Sequence, residues 1–360
     1  MDFKILIRCT VGRQYGIGHL TRCWTLADAL KSRGAHSTFL LFDPDPSIEA
    51  WVREQQYILR KLPTGAVSSD CGPIIDVFRR SGFSLLVLDG YIFENHHLEE
   101  LDDAGVPTLY MDDMMSLAYP CPLVFNQNFY ARPEHFRIRN GTRLLLGPRY
   151  ALVREEFRQA RANLNRTGRG EMRHLLVSGG GADPTGLTCK VLEALGGLET
   201  ELDVTVVVGP INPAFRKIQR RASLLDRHRV QVLQNVERMS TVMERADFVV
   251  SAAGTTCMEL CVMGLSGLLI ETSPLERRIG EGLQARGLFV NLGWHEEVSA
   301  DRIREALESF IADPVPVRAM SDRSFAAVDG LGAIRLAGVI EDYIGSGQSK
   351  FVAEAWIPKN

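Results

Sequence analysis

The chain has 360 residues, 45% of them hydrophobic, and a formal net charge of −3. That length exceeds a single ordinary core and suits two domains of about 150 to 200 residues each. The balanced charge, with no run of five or more Lys/Arg, argues against a nucleic-acid partner, and no apolar stretch reaches the roughly 18 to 20 residues of a membrane span.

The amino terminus MDFKILIRCT carries charges where a secretory signal is uninterrupted, so a cytoplasmic location is expected. The seven cysteines are scattered and lack a CxxC pair, which suggests small buried side chains and neither disulfides nor a zinc site. Cys257 and Cys261 share a helical face, but no His or further Cys accompanies them, so no metal and no cofactor is expected.

In chain order, FKILIRC (3–9) reads as a buried strand, and Leu20, Trp24, Leu26, Ala27 and Leu30 then recur at helical spacing until Gly34. HSTFLLF (36–42), SLLVLDGY (84–91) and VPTLYMDD (106–113) are further strands, the last two separated by the helical ENHHLEELDDAG. The DPD at 43–45 imitates a metal-binding acidic pair, yet with Pro44 and Pro46 it reads more simply as a turn. Alternating strand and helix predicts a parallel sheet wound on both faces. This first domain is assigned to residues 1–150.

After Gly147 and Pro148 an Arg-rich stretch follows, and residues 151–170 read as an interdomain linker. The pattern restarts with HLLVSGGG, LDVTVVVGP, RVQVLQNV, ADFVVSAAG and GLLIET, with helices expected near 186, 213, 239, 255 and 277. A second domain of the same kind therefore spans 171–340, and the tail 341–360, with FVAEAWIPKN, is apolar enough to dock on the body. The expected architecture is α/β, two facing Rossmann-like domains with parallel sheets and a cleft between them.

Open parallel sheets bind ligands beyond the carboxyl ends of their strands. Three glycine turns fall there: GRQYGIGH (12–19), SGGGADPTG (178–186) and SAAGTTCMEL (251–260). Each allows close backbone approach and precedes a helix whose positive dipole end favours an anion. Two such turns in the second domain suggest a diphosphate. Neither a Walker sequence nor a complete GxGxxG fingerprint is present, which argues against an ATPase and a dehydrogenase. Glu259 stands about one turn beyond Gly254, where a carboxylate accepts ribose hydroxyls; a solvated helix glutamate or dipole partner is the equal alternative.

The blocks GIGHLTRCWTLADALKSRGA, LDGY, LLLGPRYALVREEF, LVSGGGADPTGLT, VVVGPINP and ADFVVSAAGTTCMELCVMGL run in order over roughly residues 5 to 293. This set resembles the bacterial UDP-sugar hydrolases that remove UDP from a 2,4-diacetamido-2,4,6-trideoxyhexose on the way to pseudaminic acid. It is also similar to related spore-coat polysaccharide proteins. The resemblance implies the glycosyltransferase-B fold and a UDP-sugar substrate. It places the diphosphate at Gly180, Gly181, Gly254, Thr255 and Thr256, and the ribose at Glu259. It also implies a catalytic role for His19, Asp89 and Tyr91.

Under that resemblance a neutral imidazole at His19 takes a proton from water attacking the anomeric carbon, and UDP leaves with inversion, its charge held by helix amino termini in place of a metal. His19 as a helix cap or packed side chain is the competing reading. Gly18 and Arg22 are substrate-contact candidates, and Arg22 serves equally as a loop support or a surface salt bridge. Tyr91 meets sugar or water, or lies in the interdomain wall.

Two departures from the family pattern stand out. Leu275 and Glu276 occupy the place of an Asn-Gln pair, and Gly90 that of a histidine beside the tyrosine. Glu276 is a substrate-contact candidate, although a carboxylate beside a diphosphate is unfavourable unless it points away. Hydrolysis is the main expectation; a glycosyltransferase and a silent nucleotide-sugar-binding partner are the alternatives.

Overall fold

The computed structural model of the chain describes residues 3–12, 17–62, 70–164, 172–181, 183–209 and 212–346. The chain divides into two compact units, Met1–Leu152 with Leu331–Asn360, and Val153–Gly330.

The first unit begins with β1 (Phe3–Cys9), α1 (Gly18–Lys31), β2 (Ala35–Leu41), α2 (Pro46–Glu54), β3 (Ile58–Lys61), α3 (Cys71–Ser81) and β4 (Leu85–Asp89). It continues through α4 (Asn95–Asp103), β5 (Thr108–Met111), β6 (Ala118–Tyr119), β7 (Leu123–Asn126), β8 (Arg137–Ile138) and β9 (Arg143–Leu146). Seven strands form one parallel sheet in the order β3-β2-β1-β4-β5-β7-β9, and β6 pairs with β8 alone. Successive β1 side chains enter opposite layers: Ile5, Ile7 and Cys9 join one apolar cluster and Leu6 the other. A strand covered on both faces must be apolar at nearly every position, which is why FKILIRC reads as a continuous run. The turn at DPD leads directly into α2, with Pro46 in its first turn.

The second unit contains α5 (Glu155–Asn163), β10 (His174–Ser178), α6 (Leu187–Gly196), β11 (Asp203–Val208), α7 (Phe215–Ala222), β12 (Arg229–Gln234) and α8 (Met239–Arg245). It goes on through β13 (Phe248–Ala252), α9 (Thr256–Val262), β14 (Gly267–Glu271), α10 (Pro274–Gln284), β15 (Val290–Trp294), α11 (Ala300–Ala312) and α12 (Val315–Ala327). Its parallel sheet runs β12-β11-β10-β13-β14-β15. In each sheet strand order reverses beside the unit's first strand, β1 or β10. In parallel sheets of this kind, the point of reversal is where loops leaving adjacent strands diverge above the carboxyl ends.

Two assignments differ from the sequence expectation. Residues 151–170 are not a plain linker: Glu155 to Asn163 form α5, which packs in the second unit against α8 and α9. Phe157 is fully buried there, and Arg161 donates to the carbonyls of Val262 and Phe325, each at 2.8 Å. The second domain also ends earlier than residue 340. Helix α13 (Gly332–Gly345) belongs to the first unit, where Leu336, Ala337, Ile340 and Tyr343 join the cluster around α1. Arg335 donates to the carbonyl of Arg149 at 3.0 Å, and Arg33 pairs with Glu341 at 2.5 Å. The tail expected at 341–360 thus starts inside α13, and the docking expected of residues 347–360 lies outside the described residues.

No helix among the described residues is long and apolar enough to cross a membrane.

Candidate active site

In the first unit, β1 and β4 are neighbours, so the start of α1 lies beside the end of β4. His19 and Arg22, three apart on α1, share one helical face, and both turn toward Asp89, the last residue of β4. His19 Nδ1 is 2.7 Å from Asp89 Oδ1. Arg22 donates to the same carboxylate from Nε at 2.7 Å and Nη2 at 2.5 Å, and the Cys23 thiol approaches Oδ2 at 3.4 Å. Asp89 is completely buried, and His19 is 6% exposed. Helix α1 has no side-chain cap bond, so His19 is engaged with Asp89 and does not cap the helix.

That geometry selects a tautomer. Arg22 Nη2 also lies 3.3 Å from Nδ1, but the carboxylate at 2.7 Å is the shorter contact and only accepts, so Nδ1 carries the proton and Nε2 keeps the lone pair. No described residue bonds Nε2. Burial acts to raise the Asp89 carboxyl, but Arg22 and then His19 outweigh it and hold it well below the usual carboxylate range. For Arg22, burial acts to lower the guanidinium, and Asp113 and Asp89 overcome it, so its charge is secure.

Arg22 is not a surface residue; its Nη1 donates to Asp113 Oδ2 at 2.7 Å. The Tyr91 hydroxyl donates to that same oxygen at 2.9 Å, and its ring meets His19 edge-on with centroids 4.7 Å apart. Asn128 Nδ2 donates to Asp113 Oδ1 at 2.9 Å, and Tyr130 OH to the Asp113 carbonyl at 2.8 Å. Asp113, Asn128 and Tyr130 escaped the sequence reading. The only hint was the second Asp of MDD, two residues past the end of β5 as Tyr91 is two past the end of β4.

Gly90 is explained by contact. A Cβ there would lie 2.5 Å from Thr10 Cγ2 and 2.8 Å from Thr10 Oγ1, so a histidine cannot occupy this position while Thr10 stays in place.

In the second unit the first glycine turn follows β10. Gly180 has φ +85°, a conformation L side chains rarely adopt, and a Cβ at Gly180 or Gly181 would meet nothing within 4 Å. The amino terminus of α6 is not vacant for an anion as expected. Asp183 fills it, its carboxylate accepting from the amides of Leu187 at 2.7 Å and Thr188 at 3.0 Å. The α9 turn differs: Thr255, its cap residue, makes no side-chain cap bond.

Glu276 does not point away from this turn. Its Oε2 accepts from Thr272 N at 2.8 Å and Thr272 Oγ1 at 2.5 Å, and its Oε1 lies 3.3 Å from where a Gly254 Cβ would stand. Burial pushes this carboxyl up, against the Thr272 hydrogen bonds. The sequence S-P-L-E supplies the reason: Ser273 caps α10 and accepts from the Glu276 amide at 3.3 Å, which fixes the glutamate backbone at the third helical position.

Glu259 is neither solvated nor merely a dipole partner. Its side chain is 16% exposed, and Oε1 accepts from Arg154 Nε at 3.1 Å. Arg154 Nη1 is held in turn by Glu156 at 2.7 Å, and Glu156 accepts from Ser240 Oγ at 2.8 Å. Burial raises the Glu259 carboxyl and Arg154 opposes it. Arg154 was read as part of a linker, and only its return to α9 gives it a role beside Glu259.

All seven cysteines are buried and unbridged, and among the described residues no three His, Cys, Asp or Glu side chains form a metal-holding group.

Residues 174–278 match the glycosyltransferase family 28 C-terminal domain. Spore coat polysaccharide biosynthesis protein SpsG of Bacillus subtilis is 23% identical over 337 residues, covering 92% of this chain and 96% of that protein. An uncharacterized protein of Methanocaldococcus jannaschii is 23% identical over 292 residues, covering 76% of this chain and 57% of that longer protein. Among solved structures, MurG of Acinetobacter baumannii superposes with a TM-score of 0.70 at 12% identity, over 95% of this chain and 100% of that one. The UDP-GlcNAc 2-epimerase of Neisseria meningitidis bound to UDP-GlcNAc gives 0.59 at 11%, over 94% and 100%. The chain has the glycosyltransferase-B fold. Its two Rossmann-like units and parallel sheets are those of this class.

Proposed function

We propose that the chain is an enzyme of surface-polysaccharide synthesis that transfers a glycosyl group from a UDP-sugar to an acceptor hydroxyl. The observation that carries the chemistry is His19, whose Nδ1 is committed to Asp89 at 2.7 Å while Nε2 retains its lone pair. Nε2 takes the proton of the attacking hydroxyl as its oxygen bonds the anomeric carbon. The bond from that carbon to the diphosphate oxygen breaks on the opposite face, and its electron pair leaves with UDP. Asp89 stabilises the imidazolium that forms, and Tyr91 borders the ring.

The second unit is assigned the nucleotide. The uncapped turn at Gly254, Thr255 and Thr256 offers backbone amides to the diphosphate, with Gly180 and Gly181 contributing open backbone and Glu259 the ribose contact. The match to a glycosyltransferase domain over 174–278, together with the polysaccharide-synthesis relative, favours transfer.

Hydrolysis of a UDP-linked diacetamido-trideoxyhexose is the second reading, favoured by the resemblance of the block Gly18-His19-x-x-Arg22-Cys23, whose His19, Arg22 and Cys23 side chains converge on Asp89. In it water replaces the acceptor hydroxyl and the remaining steps are unchanged. UDP release from a panel of UDP-sugars, with and without polysaccharide acceptor fractions, tests both. Release only with acceptor supports transfer, and release without it supports hydrolysis. No release under either condition from a protein that binds UDP would leave a silent binding partner.

A further inference from the structure

We propose that Asp113 is a positioning residue that acts through Arg22 to favour protonation of His19. The inference rests on the reading of His19 as the base, and it begins from a charge imbalance. Arg22 is one cation clamped between two carboxylates: Nε and Nη2 serve Asp89, and Nη1 serves Asp113. All three side chains are at most 5% exposed. With His19 neutral, Asp89, Asp113 and Arg22, whose Nη2 also lies 3.3 Å from His19 Nδ1, together hold two negative charges and one positive among the described residues.

Among the described residues, the other groups facing His19 do not cancel that excess. Tyr91, from the loop after β4, is a neutral phenol whose hydroxyl is spent on Asp113. Cys23 of α1 stays a thiol, burial pushing it up, and adjoins Cys9 of β1. Asp112 is turned elsewhere, accepting from Met114 N and Met115 N at 2.8 Å each and from Tyr119 OH. When Nε2 accepts a proton, the cluster becomes neutral. Asp113 makes this so, because Asp89 alone would already balance Arg22.

Asp113 also sets geometry. It ties α1, through Arg22, to the loops after β4 and β7, through Tyr91 and Asn128. The carboxylate thus holds the guanidinium fork that holds Asp89, and it does so without touching His19.

The test is the titration of the His19 ring by NMR in the full chain without substrate, which requires no knowledge of the sugar. In Asp113→Asn, or in Asp113→Ser should the first not fold, the His19 midpoint falls by about one pH unit, because protonation now creates a net positive cluster. Asp113→Glu keeps the charge and restores the wild-type midpoint. Tyr91→Phe, which removes the hydroxyl but not the charge, leaves the midpoint in place. On an active substrate, the acid limb of the kcat profile in Asp113→Asn moves to lower pH with the NMR midpoint, while KM changes little. An unmoved midpoint in a folded neutral variant overturns the inference, as does a midpoint that moves equally in Asp113→Glu. Full turnover in His19→Gln would instead remove the base reading and leave the titration result standing, so the two failures are distinguishable.

Discussion

His19 Nδ1 and Asp89 Oδ1 are 2.7 Å apart, and the carboxylate involved is completely buried. A histidine so held has one nitrogen committed and one available, the arrangement that general-base catalysis requires. His19→Gln should therefore lower kcat by about a hundredfold or more while leaving UDP affinity nearly unchanged. Steady-state kinetics and calorimetric titration with UDP check the two halves of this expectation separately.

Asp89 also carries a stability signature. Its pKa in the folded chain lies below the unfolded value, so its contribution is present above the ordinary carboxylate range and is lost as pH falls through and below about 4. Asp89→Asn should cost about 3 to 5 kcal/mol at neutral pH, since it leaves Arg22 short of a buried partner. The cost should shrink in acid. Urea midpoints of wild type and variant at pH 7 and pH 3 measure the difference, and an equal cost at both would assign the effect to packing.

Glu276 sets a carboxylate oxygen 3.3 Å from the Cβ position of Gly254. If the diphosphate occupies that turn, Glu276→Gln relieves a like-charge contact while keeping an oxygen for the Thr272 bonds. UDP affinity should rise by about tenfold, less at high salt. Unchanged affinity at low salt would place the diphosphate elsewhere.

Glu259 offers a carboxylate oriented by Arg154. Glu259→Ala should weaken UDP binding by about tenfold and weaken 2′,3′-dideoxy-UDP much less, because only the former presents hydroxyls to it. An equal loss for both nucleotides would mean that Glu259 supports α9 and not the ribose.

Gly90 faces Thr10 at a distance that leaves no room for a methyl group. Gly90→Ala should destabilise the first unit by about 1 to 3 kcal/mol through overpacking, and Thr10→Gly in the same chain should recover part of that loss. Chemical denaturation of the single and double variants gives the coupling directly.

Much of the fold was legible in local pattern. Strands buried on both faces must be apolar almost throughout, so β1, β4, β10, β13 and β14 announce themselves as runs of Ile, Leu and Val. Glycines mark where β1, β4, β10 and β13 lead toward the helices that follow them. The expected helix starts near 186, 213, 239, 255 and 277 correspond to helices beginning at Leu187, Phe215, Met239, Thr256 and Pro274. Shorter and more polar elements gave little signal. Strand β3 has the burial of an edge strand, and α5 carries one buried residue, Phe157, among charges, so the stretch read as a linker.

The chain's own residue order thus determined two parallel-sheet units, their glycine turns and His19 as a residue at the start of a helix. Tertiary structure alone decided what those residues face. Arg22 and Asp113 are 91 positions apart, and Arg154 and Glu259 are 105 apart, so neither pair has a spacing that periodicity can reveal. It likewise decided that α13 returns to the first unit, that Asp183 occupies the α6 terminus and that Glu276 turns toward Gly254. The physical reason is common to all of them: periodicity records which side of an element is buried, whereas a site is made where the ends of different strands meet.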